Sequence, residues 1–243
     1  MTHPDPSPPL AALQQRLGYA FREPALLERA ITHPSYLQDH PDTKESNQRM
    51  EFLGDAVLQL ILTQALFELF PGDREGALTK RRSALTKGSF LSQLAREIGL
   101  ESDLRLGAGE EASGGRSKTG ALEDAFESLV GAIHLDGGYP AARQVVLGLY
   151  GSLSDRLAAV EDAENPKGRL QERVQPAHGN DALRYEVVRI EGSDHAREFE
   201  VAVRLHDRLL GQGRGTSKKL AEEAAARVAL VTLATPAEPP RAV

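Results

Sequence analysis

Two short stretches hold the residues able to do chemistry. In residues 47–55, NQRMEFLGD, Glu51 and Asp55 stand four apart; in residues 122–127, LEDAFE, Asp124 and Glu127 stand three apart. On a helix both spacings put the pair on one face. Their neighbours are largely apolar, and a buried carboxylate without a partner either destabilises the fold or becomes neutral. Four such groups facing one another would call for a counter-charge. Neither stretch contains His or Cys, so every donor is an oxygen, a set that suits hard cations such as Mg²⁺ or Mn²⁺. Spacing alone leaves Glu123 and Asp124 equivalent as the partner of Glu127. It also leaves open that each pair lies on an ordinary hydrated helix face, since periodicity does not join two distant helices into one site.

The elements that must position these acids follow from hydrophobic pattern and punctuation. A helix is predicted over about 46–70, apolar on most sides except for one polar line, Gln48, Glu51, Asp55 and Gln59, and stopped by Pro71-Gly72. A second runs over about 118–136 with its apolar stripe at Leu122, Ala125, Phe126, Leu129 and Ile133, and stops at Gly137-Gly138. Around these, helices are predicted at about 10–17, 24–32, 74–87 and 88–98, with one more from Pro140 to about 160. The glycine-rich stretch 101–117 has no helical period and reads as a loop. Residues 1–9 and 234–243, rich in proline, read as disordered tails, which leaves a helical domain over 10–160.

After 161–166, EDAENP, read as a linker, the pattern changes. An amphipathic helix over 166–178 precedes three strands near 184–191, 197–206 and 208–212, then a helix over about 217–233 expected to bury Leu220, Ala224, Val228 and Val231. This gives a small α+β domain over 167–233 with the order α-β-β-β-α.

The chain has 243 residues and a net charge of −6. Residues 163–243 carry +1 and residues 1–162 carry −7, so the acidity lies in the half that holds the carboxylate pairs. Local basic clusters, not the total, decide contact with phosphates. The chain lacks cysteine, which removes disulfide and thiolate chemistry and fits a cytoplasmic setting. The apolar run 56–70 is broken by Gln59, Thr63, Gln64 and Glu68 and reads as too polar to span a membrane; the N-terminus has no secretory pattern.

Three patches of the small domain could face one ligand: Gln171, Glu172 and Gln175 on its first helix, the loop 192–196 with His195, and Ser217-Lys218-Lys219 at the start of its last helix. Two lysines at a helix N-terminus oppose the macrodipole, by about 0.3–1 kcal/mol each, yet strengthen an anion site. Residues 164–233, through PKGRLQE, GSDHAREFEVAV and GQGRGTSKKLAEEAAA, resemble the double-stranded RNA-binding domain. The resemblance implies minor-groove contacts from Gln171, Glu172, Gln175 and His195 and phosphate contacts from Lys218 and Lys219, reading A-form shape rather than sequence. Gly168 departs from the family, in which many members have a hydroxyl residue there.

NQRMEFLGDAVL, with THPSY (32–36), LAREIGL (94–100), GEEASGGR (109–116) and LEDAFESLVGAIHLDGG (122–138), resembles the ribonuclease III family over about residues 10–233. The fold so implied is an all-α endonuclease domain followed by the double-stranded RNA-binding domain. The implied metal ligands are Glu51, Asp55, Asp124 and Glu127, with Asp55 and Glu127 foremost in catalysis, and here the motif selects Asp124 over Glu123. The implied reaction hydrolyses double-stranded RNA to 5′-phosphate and 3′-hydroxyl ends with Mg²⁺, or Mn²⁺ as substitute, activating water and stabilising the leaving oxygen. Glu75 matches an auxiliary acidic position, and Gln48 stands where many members have Glu. The resemblance further implies a homodimer in which Phe52 inserts into the partner, and a part in processing rRNA precursors and other structured RNAs. Arg116, Lys118 and Lys87 are candidate phosphate contacts, while His33 and His134 read as structural. A non-catalytic RNA-binding scaffold and a di-metal oxidase bundle are the competing classes. The four acids disfavour the first, and the lack of a Glu-x-x-His pair among them disfavours the second.

Overall fold

A computed structural model of the protein describes residues 8–192 and 197–234. The chain separates into two compact units that part between Leu157 and Ala158, and each is described by itself.

The first unit is helical: α1 (Pro8–Leu17), α2 (Pro24–Ala30), a short α3 (Tyr36–Asp39), α4 (Gln48–Leu69), α5 (Glu75–Leu85), α6 (Gly88–Glu97), α7 (Ala108–Ala112), α8 (Thr119–Tyr150) and the start of α9 (Leu153–Glu164). α4 and α8 form the central pair, with α6 against α8. Leu58, Ile61, Leu62 and Leu66 of α4 and Leu122, Phe126 and Ile133 of α8 are buried between them and their neighbours. The two backbones touch. A Cβ on Gly54 would lie 1.7 Å from the Glu127 carbonyl oxygen, and one on Gly131 would lie 2.3 Å from that of Met50. Ser128 Oγ, fully buried, donates to the Asn47 carbonyl at the head of α4 (3.3 Å).

Several boundaries differ from the sequence expectation for identifiable reasons. α1 begins at Pro8, because proline is tolerated in a first helical turn. α8 breaks at Gly138 (φ 76°) as its sequence suggests, but the helix resumed at Pro140 ends at Gly151 (φ 64°) instead of running on to 160. The stretch 101–117 contains α7 and two 3₁₀ turns, Leu100–Ser102 and Gly115–Ser117. These single turns have no period to read; individual side-chain hydrogen bonds fix them. Arg116 Nη1 donates to the carbonyls of Glu101 (2.9 Å) and Leu104 (2.8 Å), and Asp39 accepts from the Ala108 amide (2.6 Å) at the start of α7. By length and mean hydropathy (1.4) α4 is apolar enough to cross a bilayer, contrary to the expectation; packing in this unit's own core accounts for much of that apolarity.

In the second unit α9 runs through the segment expected to be a linker as far as Glu164, leaving Asn165 alone before α10 (Pro166–His178). The Asn165 side chain caps α10 by accepting from the Gly168 amide (3.0 Å). Strands β1 (Leu183–Glu191), β2 (Glu198–Leu205) and β3 (Arg208–Gly215) form an antiparallel sheet in the order β1-β2-β3, and α11 (Lys218–Ala234) packs on it.

Val201, Val203, Leu205, Leu170 and Val174 fill the core with Ala221, Ala225 and Ala229 of α11. The expected buried stripe of α11 is therefore displaced by one position: Leu220, Val228 and Val231 are exposed. The cause lies in β3, which extends to Gly215 through Gly211 and Gly213. A Cβ on Gly213 would meet the Ala225 amide nitrogen at 2.2 Å, so the helix backbone lies on the strand and the small Ala221, Ala225 and Ala229 are the residues turned into the core.

Replacing Gly54 by Ala should force α4 and α8 apart and lower stability by about 3 kcal/mol or more. Chemical unfolding followed by circular dichroism measures this, and an unchanged midpoint would contradict the backbone contact.

Candidate active site

The contact at Gly54 and Gly131 brings the acid-bearing turns of α4 and α8 side by side. Glu51 and Asp55 lie half-buried on α4, and Glu123, Asp124 and Glu127 half-buried on α8. Gln59 Nε2 donates to Asp55 Oδ1 (3.3 Å), joining the polar line along α4. Burial raises the proton affinity of Glu127 most, followed by the charges of Asp55, Glu123, Glu51 and Asp124, to about 8. Glu51 is raised by burial and then by Asp124, Glu123 and Asp55. Glu123 is raised by burial, Asp124 and Asp55. Asp124 is raised by burial and partly offset by His33. The structure thus brings together the four acids selected from the sequence, and adds Glu123, which spacing had allowed and the family motif had passed over.

Among the described residues, no three Asp, Glu, His or Cys side chains already close on one point as a metal cage. The cluster is open, its members near enough to repel one another. Its donor set, five carboxylates whose repulsion a positive ion would relieve, fits a hard divalent cation.

The surrounding frame explains other motif residues. THPSY (32–36) pairs with the backbone near Arg105, through the His33 amide to the Arg105 carbonyl (3.0 Å) and the Arg105 amide to the Ile31 carbonyl (2.8 Å). His33 Nδ1 engages Ser35 Oγ (2.8 Å), in keeping with a structural histidine beside Asp124. His134 is half-buried on α8. Arg116 is committed to Glu111 and to loop carbonyls, and Lys118 Nζ to Glu110 (2.8 Å) and Ser113 (3.0 Å), so both serve the 101–117 segment as the structure stands. Lys87 is the N-cap residue of α6. Glu75 is exposed at the start of α5, accepts from Thr79 Oγ1 (3.2 Å), and is not among the charges acting on Glu51, Asp124 or Glu127. Gln48 is exposed. Phe52 is 83% exposed, which excludes a core role for it in the single chain; Leu60 and Phe67 extend an apolar stripe along α4.

In the second unit Glu172 and Gln175 are exposed on α10, while Gln171 Nε2 donates to the Asn180 carbonyl (2.8 Å). Lys218 and Lys219 stand exposed in the first turn of α11, 3.9 Å from Glu222 and Glu223 respectively, and the Leu220 amide donates to Ser217 Oγ (3.3 Å). His195 lies outside the described residues.

Comparison with known proteins supplies the family. Residues 23–152 match the family model "Ribonuclease-III-like" and residues 166–233 the "Double-stranded RNA binding motif". The chain is 45% identical to ribonuclease 3 of Bdellovibrio bacteriovorus over 220 residues, covering 90% of this chain and 94% of that protein. The chain belongs to the ribonuclease III family. It is an endoribonuclease with a double-stranded RNA-binding domain. Ribonuclease 3 of Pseudomonas fluorescens is 43% identical, covering 92% of this chain and 95% of that one. The solved nuclease domain of ribonuclease III from Campylobacter jejuni is 38% identical, with a TM-score of 0.55, covering 58% of this chain and 94% of that one. Its description concerns a flexible region involved in dimer formation.

Glu127 gives this ribonuclease III-family chain a pH signature. Its folded-state value, about 8, exceeds the ordinary 4.5, so the folded state holds the extra proton between them. Without cations, stability should fall as pH rises across that window, and Glu127→Gln should flatten the slope. Melting temperatures in chelator across the window test this, and equal slopes in both proteins would contradict it.

Proposed function

We propose that the protein is a divalent-cation-dependent endonuclease of double-stranded RNA, with Mg²⁺ the working ion and Mn²⁺ a substitute. The observation that carries this reading is the convergence of Glu51, Asp55, Asp124 and Glu127, from two distant segments, into one mutually repelling group. Those four would hold the ion, which when bound supplies positive charge to polarise the scissile phosphate and lower the proton affinity of an attacking water. Gln59 orients Asp55, and His33 steadies the charge on Asp124. The expected products carry 5′-phosphate and 3′-hydroxyl ends. Glu75 keeps the auxiliary role that its motif position suggests.

Exposed Glu172 and Gln175, together with Gln171, offer hydrogen-bonding groups to a minor groove, with His195 as a further contact. Lys218 and Lys219 present cations at a helix N-terminus, where backbone amides also attract phosphate. The stripe of Phe52, Leu60 and Phe67 supports a homodimer joined through α4, which would supply one site for each strand. Precursors of rRNA and other structured RNAs are the proposed substrates.

Asp55→Asn and Glu127→Gln should each lower cleavage of a labelled duplex by about a hundredfold or more, since even outer-shell partners of a metal are worth that much, while binding of the duplex persists. Full activity of Glu127→Gln in Mg²⁺ would refute the metal assignment. Replacing Lys218 and Lys219 together by Ala should weaken duplex binding and reduce the slope of log affinity against log salt by roughly one to two; an unchanged slope argues against phosphate contacts. Phe52→Glu should shift the protein toward monomer in sedimentation.

A further inference from the structure

α6 starts at Gly88 with Lys87 as its N-cap residue, and the Lys87 side chain makes no cap hydrogen bond there. A Cβ on Gly88 would fall 2.1 Å from Glu123 Oε2 and 2.7 Å from Oε1, so the space a side chain would take there is filled by a carboxylate from α8. Glu123 thus lies against the amide end of α6, where unpaired N–H groups and the helix dipole favour negative charge.

The same residue belongs to the acid cluster. It stands one turn before Glu127 on α8. Among the charges acting on Glu127 it ranks behind Asp55 and ahead of Glu51 and Asp124, and it also acts on Glu51. A carboxylate serving only to hold α6 in place would not need to sit within the field of the acids on α4.

We propose that Glu123 is a fifth acid of the divalent-cation site, a positioning residue whose carboxylate lies against the first turn of α6 and adds its negative charge to the ion's surroundings. The proposal rests on the cation-site reading above. It assigns Gly88 a role as well: any larger residue there would push the carboxylate off the helix end. Glu123 then couples α6 to the site, so that α4, α6 and α8 all bear on one ion.

The test is a titration of the full-length protein with Mn²⁺ alone, without RNA, with free Mn²⁺ followed by electron paramagnetic resonance. Wild type, Glu123→Gln, Glu123→Asp and Glu127→Gln are compared, and each is melted in chelator. Glu123→Gln should bind Mn²⁺ about tenfold more weakly, the size of loss typical of outer-shell partners. Glu123→Asp, which keeps the charge, should recover most of that loss. Wild-type Mn²⁺ affinity in Glu123→Gln overturns the proposal while leaving the four-acid site intact. If its melting point falls as well, the residue serves α6 alone. Undiminished binding in Glu127→Gln overturns the cation-site reading itself, and this proposal with it.

Discussion

The approach of α4 to α8 at two glycines is the constraint on which the rest depends. Gly54 and Gly131 allow backbone to lie on backbone, with the Glu127 carbonyl where one side chain would begin and the Met50 carbonyl where the other would. Ordinary helix pairs are held 8–10 Å apart by their side chains. At this contact nothing stands between the helices, and the acids near the glycines, Glu51 and Asp55 on one side and Glu127 on the other, are carried into one another's field. The apolar residues buried around the pair hold it closed against the repulsion they create.

That repulsion suits the cation-binding role proposed for the site. A site whose groups repel one another when empty binds a multivalent cation strongly, because the ion relieves an unfavourable field as well as making contacts. The surrounding segments have little period of their own. They are pinned by individual side chains, among them Arg116 to three loop carbonyls and Asp39 to the head of α7. A helix pair carrying the charge is thus edged, along α8, by short turns that single side chains hold in place.

Much of this was legible from residues alone. The 3.6-residue period gave α4 and the first part of α8, the paired carboxylates gave the acid rows, and proline and glycine marked most of the helix ends. Three kinds of feature were hidden. Period alone did not join the two acid rows, because their meeting depends on glycines whose effect is tertiary. The turns within 101–117 were unreadable because single side-chain bonds without any period anchor them, from Arg116 inside the stretch and Asp39 outside it. The buried face of α11 was misassigned because Leu220, Val228 and Val231 outrank alanine in hydrophobicity, whereas a glycine-lined strand draws the helix backbone so close that the small Ala221, Ala225 and Ala229 form the buried face. Where backbone meets backbone, size decides burial and hydrophobicity does not.

The cap of α10 carries a corollary. The Asn165 side chain occupies the space in which a Cβ of residue 168 would sit, 2.2 Å from its Nδ2. A side chain at 168 would make the amide end of Asn165 turn aside, a small movement that leaves its Oδ1 able to accept from the same amide, as N-cap residues do over larger residues at that position. The two positions touch, so the effects on α10 of exchanges at them are not independent of one another.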